Sequence, residues 1–175
     1  IIIERIMTRL FKYSLNKSDG VLFQNNDDLK VFIDKGIIDR DKCKIVNGSG
    51  VNTAKFPYSK VKTDRIVFLF IGRLLRDKGI YEFVKAAQEI KKNRENIEFW
   101  VLGGYDSNPT SVSPKEMDEW INSSTIKYFG RQDSIYHFYE SASVFVLPSY
   151  HEGTPRTNLE AMAVGRAIIS TDAPG

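Results

Sequence analysis

The sequence predicts an α/β protein built on a parallel sheet with helices on both faces, and three observations carry that expectation. Continuous apolar runs such as "RIVFLFIG" and "SVFVLPS" read as strands buried on both faces. Segments of helical spacing separate them, so strand and helix alternate from residue 65 onward, as a doubly wound sheet requires. Gly72, Gly103, Gly130 and Pro148 fall at the strand ends, where sheets of this Rossmann-like kind bind ligands.

The elements follow in order. In "IIIERIMTRLFKYSLNKSD", Ile3, Ile6, Met7, Leu10 and Phe11 share one helical stripe, with Arg5, Arg9 and Lys12 mostly outside it. Such a basic amphipathic helix packs on a domain or lies on a membrane, and the first reading is the better supported. "GVLFQN" reads as a short strand, "DDLKVFIDKG" as a helix ending at Gly36, and "CKIVNG" as a second strand. "NGSGVNTAKFPYSKVKTD" is polar and turn-rich, the mark of a hinge. After "RIVFLFIG", the residues Ile80, Phe83, Val84, Ala87 and Ile90 keep helical spacing, and "IEFWVLGG" is the next strand. "SPKEMDEWI" opens a helix with Ser113 as cap and Pro114 at its first position. "TIKYFG", "SVFVLPS" and "AIIST" are strands, with helices at "SIYHFYESA" and "PRTNLEAMAVG" between them.

Composition narrows the function classes. Hydrophobic residues make up 42% of the chain, enough for a packed core, and 25 basic residues against 22 acidic ones leave a net charge of +3. That balance, with no basic run interleaved with aromatics, argues against nucleic acid as a partner. The lone cysteine, Cys43, excludes an internal disulfide, offers no metal-site spacing, and fits a reducing, cytoplasmic setting. The start "IIIERIMTRLFKY" has no apolar run long enough for a signal peptide or a spanning helix. The missing initiator methionine and the stop at "STDAPG", directly after a strand-like run, read as a fragment of a longer chain.

Two constellations could carry chemistry. "GRLLRDKG" follows the first strand of the regular region: Gly72 lets the backbone turn beside a ligand, and Arg73 presents a planar fork to phosphate oxygens. Lys78 stands at the entry to the next helix, where exposed N–H groups favour anions. From location alone, phosphate binding and solvated loop charges are evenly matched. The stretch is neither a dinucleotide fingerprint nor a P-loop, since neither glycine pattern is present. The second is "SYHEGTPRTNLEAMAVG", where Thr154 is a suitable cap and Pro155 a suitable first helical residue. Glu152 then precedes the helix and Glu160 lies inside it, roughly 7–8 Å along the axis at ~1.5 Å per residue. Each carboxylate can accept a pair of sugar hydroxyls, with a phosphate near the helix start between them. Surface charges with no site role, or a glycosidase carboxylate pair, remain the competing readings. Of the two histidines, His137 is expected to serve packing and His151 adjoins the candidate loop; Trp100 and Trp120 read as core.

With these residues in view, the chain resembles the donor-binding half of the retaining, GT-B-fold glycosyltransferases of family 4 (group 1). The resemblance rests on "GRLLRDKG" at 72–79, "YFGRQDSI" at 128–135, and "LPSYHEGTPRTNLEAMAVGRAIISTDAPG" at 147–175, which holds the E-x7-E pattern. The piece "NGSGVNTAKF" is similar to that family's interdomain segment. The resemblance implies trailing elements of an acceptor-side domain at 1–46, a hinge at 47–64 and a nucleotide-sugar donor-binding domain at 65–175, cut at its C-terminus. It implies that Arg73 and Lys78 meet the donor diphosphate, with Glu152 by the transferred sugar and Glu160 on the ribose. Backbone around Gly153, Thr154, Pro155, Arg156 and Thr157 would contact diphosphate or sugar, and Gly130 and Arg131 would flank the base. The implied reaction moves a hexose from a UDP- or GDP-linked donor to a glycan or lipid-linked acceptor in polysaccharide biosynthesis. It proceeds with retention and without a metal or other cofactor. The implied location is cytoplasmic or peripheral at the inner face of the membrane, touching it through the preceding domain. A nucleotide-sugar epimerase of the same fold and a non-catalytic nucleotide-sugar binding module are the alternatives. The chain departs from the family pattern in Gly153-Thr154-Pro155, where Gly-Phe-Gly is common, and in Ala167, where proline is frequent.

Overall fold

The computed structural model describes residues 2–94 and 96–173. They form two compact units: residues 2–50 with Glu152–Pro155, and Val51–His151 with Arg156–Ala173. The turn-rich segment expected at 47–64 therefore divides at Gly50, and its larger part belongs to the second unit.

In the first unit, α1 (Ile2–Leu15) precedes β1 (Val21–Phe23), α2 (Asn26–Asp34), a 3-10 turn at Arg40–Lys42 and β2 (Cys43–Ile45). β1 and β2 pair in parallel, Val21 opposite Cys43. The Asn25 side chain caps α2 by accepting from the Asp28 N–H at 2.7 Å. Phe23, Leu29, Ile38 and Cys43 are the buried centre, with Phe32 and Leu15 packed on them. Helix α1 buries none of its residues within this unit. Its Phe11 meets Phe32 edge-on at 5.5 Å and Glu4 pairs with Lys35 at 2.9 Å, while Ile2, Ile3, Ile6, Met7 and Leu10 are exposed.

The second unit is the doubly wound domain. Its strands are β3 (Ile66–Ile71), β4 (Ile97–Leu102), β5 (Lys127–Tyr128), β6 (Val144–Leu147) and β7 (Ala167–Ser170). All neighbours pair in parallel, in the order β5-β4-β3-β6-β7. The chain starts at the centre with β3, builds outward through β4 and β5, then returns to add β6 and β7 on the other side. The order thus reverses between β3 and β6, the crevice in which open α/β sheets bind ligands. Helices α3 (Ile80–Lys91), α4 (Pro114–Asn122), α5 (Tyr136–Ser141) and α6 (Arg156–Val164) supply the crossovers and cover both faces. The apolar runs are strands because both faces are covered: Val67, Leu69, Phe70, Val101 and Phe145 are wholly excluded from water. β5 is shorter than "TIKYFG" suggests, because Gly130 turns the backbone into the left-handed region at φ 68°.

Candidate functional site

The loop after β3 is fixed on two sides. Leu74 N–H donates to Gly104 O at 3.3 Å and Arg76 N–H to Thr110 O at 3.0 Å, both in the loop after β4. On the other side, Tyr150 N–H, beyond β6, donates to Asp77 O at 2.9 Å. Gly79 closes the 3-10 turn Arg76–Lys78 and opens α3 at φ 73°. A β-carbon there would fall 2.1 Å from Pro148 O, so only glycine allows the start of α3 to approach the end of β6 this closely. Lys78 stands directly before that helix start, at the reversal of strand order.

The ends of β3 and β4 meet as tightly, since a β-carbon on Gly103 would lie 1.8 Å from Gly72 O. Above this floor opens a cleft of about 480 Å³, lined among others by Gly72, Arg73, Gly104, Asp106, Arg131 and Gln132. That volume suits a ligand of nucleotide size. Gly130 accepts from Gly103 N–H at 2.9 Å, which ties the turn preceding Arg131 to the end of β4. Arg73 pairs with Asp106 at 3.3 Å, and its side chain is 65% exposed. Such a surface pair contributes ~0–1 kcal/mol, so exchanging Asp106 for a phosphate oxygen costs little.

Glu160 lies on α6 and is only 6% exposed. The Tyr139 hydroxyl, from α5, donates to Glu160 Oε2 at 3.0 Å, and Arg156 Nη2 stands 3.8 Å from Oε1, one helical turn away. Burial raises the Glu160 carboxyl above the usual carboxylate range, against the opposing pull of the Tyr139 hydrogen bond and the Arg156 charge. The same burial, helped by the adjacent carboxylate, pushes the Tyr139 phenol up. The result is a nearly dry carboxylate with one oxygen held and the other facing an exposed cation.

Of the residues singled out in the sequence, Gly72, Arg73 and Arg131 share the cleft, and Gly130 shapes its edge. Lys78, Arg156, Thr157 and Glu160 are not among its lining residues, although all belong to the same unit. Glu152, Gly153, Thr154 and Pro155 group with the first unit. There the Thr154 hydroxyl donates to Gln24 O at 3.4 Å, and its methyl group occupies the space a β-carbon on Gly48 would need. Helix α6 begins at Arg156, one residue after the Pro155 that the pattern suggests. His137 also differs from expectation, being exposed with its ring 4.0 Å from that of Phe138. Trp100 is buried as expected, its indole N–H donating to Glu98 at 2.6 Å, and Trp120 packs edge-on against Tyr81.

Two participants were missed. Asp106 is placed by the path of the 103–112 loop, for which the sequence carries no spacing signal. Tyr139 is 21 positions from Glu160; its place within "SIYHFYESA" marks it as a helix residue facing inward and says nothing of its hydroxyl partner. Among the described residues, no group of three or more His, Cys, Asp or Glu gathers to hold a metal ion.

A strand-end cleft at the reversal of a doubly wound parallel sheet defines the class of α/β domains that bind nucleotide-type ligands. The family model for glycosyl transferases group 1 matches residues 51–175, and the chain belongs to that family. The chain is 29% identical, over 97% of its length, to an N,N'-diacetylbacillosaminyl-diphospho-undecaprenol alpha-1,3-N-acetylgalactosaminyltransferase of Campylobacter jejuni. It is 26% identical, again over 97%, to a lipopolysaccharide 1,2-N-acetylglucosaminetransferase of Salmonella typhimurium. It spans about half the length of these relatives, 46% and 48%. Among solved structures it is similar to Anabaena Alr3699/HepE in complex with UDP: TM-score 0.78 and 16% identity, covering 96% of this chain and 50% of that one. That likeness is one of fold, and the fold is that of the GT-B glycosyltransferases.

Proposed function

We propose that the chain is the donor-binding part of a retaining glycosyltransferase that moves a hexose from a nucleotide diphosphate sugar to a glycan or lipid-linked acceptor. The observation that carries this is Glu160, a carboxylate kept 6% exposed with one oxygen bonded to Tyr139. Desolvating an ionised carboxylate costs on the order of several kcal/mol, and its one cationic neighbour, Arg156, is exposed and 3.8 Å away, so the pair returns little of that cost. A binding role for vicinal hydroxyls accounts for that cost.

In this reading Arg73 leaves Asp106 for a phosphate of the donor, and Lys78 adds charge at the start of α3. Together they stabilise the negative charge that grows on the diphosphate as the glycosidic bond breaks, in place of a divalent metal. Glu160 holds the ribose hydroxyls, Arg131 and the Gly130 turn flank the base, and Glu152 attends the transferred sugar. Gly153 to Thr157 supply backbone contacts to diphosphate or sugar, with Arg156 available to either. The name of the Campylobacter relative specifies a diphospho-undecaprenol acceptor, which supports a lipid-linked acceptor here; a cytoplasmic site at the inner face of a membrane is part of the same proposal. Among the described residues no helix is long and apolar enough to cross a membrane.

Calorimetric titration of the chain with UDP, GDP and ADP tests the proposal. One of the three binds, and Arg73→Ala and Lys78→Ala each weaken it by about tenfold, the scale of one lost charge-assisted hydrogen bond. Absence of binding to all three, or binding indifferent to both substitutions, would overturn the reading.

A further inference from the structure

Tyr139 has no surface in contact with water, yet it carries a hydroxyl into the core of the second unit. That hydroxyl oxygen lies 3.0 Å from Glu160 Oε2 and 3.2 Å from the main-chain oxygen of Thr157. Both neighbours are acceptors when Glu160 is ionised, and the phenol has a single proton. The charged acceptor is the nearer and the stronger, so the proton points to Oε2. The ring itself is fixed: Phe56 meets it edge-on at 5.9 Å and Phe145 packs at 5.7 Å. A phenylalanine would fill the same space, so packing alone does not require the oxygen.

We infer that Tyr139 is a positioning residue: its phenol fixes Oε2 of Glu160 and so presents Oε1 to the two vicinal hydroxyls of a nucleoside ribose. This rests on the proposed role of Glu160 and assigns the residue that makes the role work. The partner across Oε1, Arg156, is exposed and on the same helix, and can yield its place to the ligand. Holding one oxygen does two things. It selects the carboxylate rotamer, and it opposes the effect of burial, which otherwise favours the protonated acid that accepts hydroxyl hydrogens poorly. The charged and titratable groups facing Glu160 are Tyr139 from α5 and Arg156 from α6 itself.

The test compares UDP and GDP with their 2′,3′-dideoxy forms, titrated into the unaltered chain and into Tyr139→Phe. In the unaltered chain the dideoxy form binds more weakly by about tenfold. In Tyr139→Phe the ribonucleotide weakens by about five- to tenfold while the dideoxy form is unchanged, so the discrimination collapses. The pH below which the ribonucleotide is lost also moves upward in the variant, because a hydrogen bond that favours ionised Glu160 has gone. Equal weakening of both nucleotides, no weakening of either, or an unmoved pH midpoint overturns the inference. Phe56→Leu, which keeps the phenol but removes its ring support, gives a second route. It weakens the ribonucleotide selectively by about two- to threefold, and an equal effect on both forms again overturns the inference. The two levels fail separately: unaltered protein that ignores the missing hydroxyls refutes the ribose role of Glu160, whereas only the variants can refute Tyr139.

Discussion

Gly79 and Glu160 illustrate how single residues set the terms of this site. Gly79 combines a left-handed backbone with a contact that leaves no room for a β-carbon. Gly79→Ala therefore costs more than ~1 kcal/mol, read as a fall of several degrees in Tm; under the proposed function it also weakens nucleotide binding, because the start of α3 must retreat from Pro148. Glu160 acts in the opposite sense from an ordinary paired carboxylate. Its folded-state pKa is raised, so its ionisation is a cost to stability at neutral pH that is relieved as pH falls through that raised value. Binding that needs the ionised form weakens over the same window, above the usual carboxylate range. Gly79 was visible in the sequence as part of "GRLLRDKG", but the reason for it was not, since Pro148 is 69 positions away along the chain. Gly103 is similar: "LGG" offers a turn, and only the approach of Gly72 O makes glycine obligatory.

At the level of elements, the best-read feature is the most local. Ser113 and Glu116 form a reciprocal capping box on α4: the Ser113 hydroxyl accepts from Glu116 N–H at 3.2 Å, and Glu116 Oε2 accepts from Ser113 N–H at 2.9 Å. The cap is encoded within four residues, and Pro114 sits at the first helical position as the sequence indicates. Ser113→Ala lowers stability by about 1 kcal/mol in thermal or denaturant melts. The backbone N–H and hydroxyl of Ser113 hold the Glu116 carboxyl below its usual range. The stability it lends is thus present above the ordinary carboxylate pKa and lost as pH falls through the depressed one. Ser113→Ala reduces that acid sensitivity. Strands β3 and β4 were equally legible, because burial on both faces writes itself as an unbroken apolar run. The extent of β5 and the start of α6 were not. Each depends on a backbone turn, at Gly130 and around Pro155, rather than on side-chain pattern.

For the molecule as a whole, the segment after Gly50 is held by a residue far away in sequence. Arg166 is 4% exposed, and its guanidinium donates to main-chain oxygens: Ala142 at 2.9 Å, Val164 at 3.0 Å, Glu140 at 3.4 Å, and Ser59, whose hydroxyl it also meets at 3.2 Å. Beside it, the Tyr58 ring lies over Gly165, where φ is 83° and a β-carbon would come within 2.7 Å of the ring. Arg166→Leu strands these oxygens and costs about 2–4 kcal/mol, and it exposes residues 51–64 to protease and to hydrogen exchange before the sheet itself opens. Composition made that stretch read as a hinge, and a polar, turn-rich run looks the same whether it is loose or clamped. The clamp has a consequence for the order of manufacture. Ser59 and Arg166 are 107 positions apart, so on the ribosome residues 51–64 wait for a partner that is made much later. Until Arg166 emerges, residues 51–64 have no anchor there, and the start of this domain is secured only after strands β3 to β6 have been made.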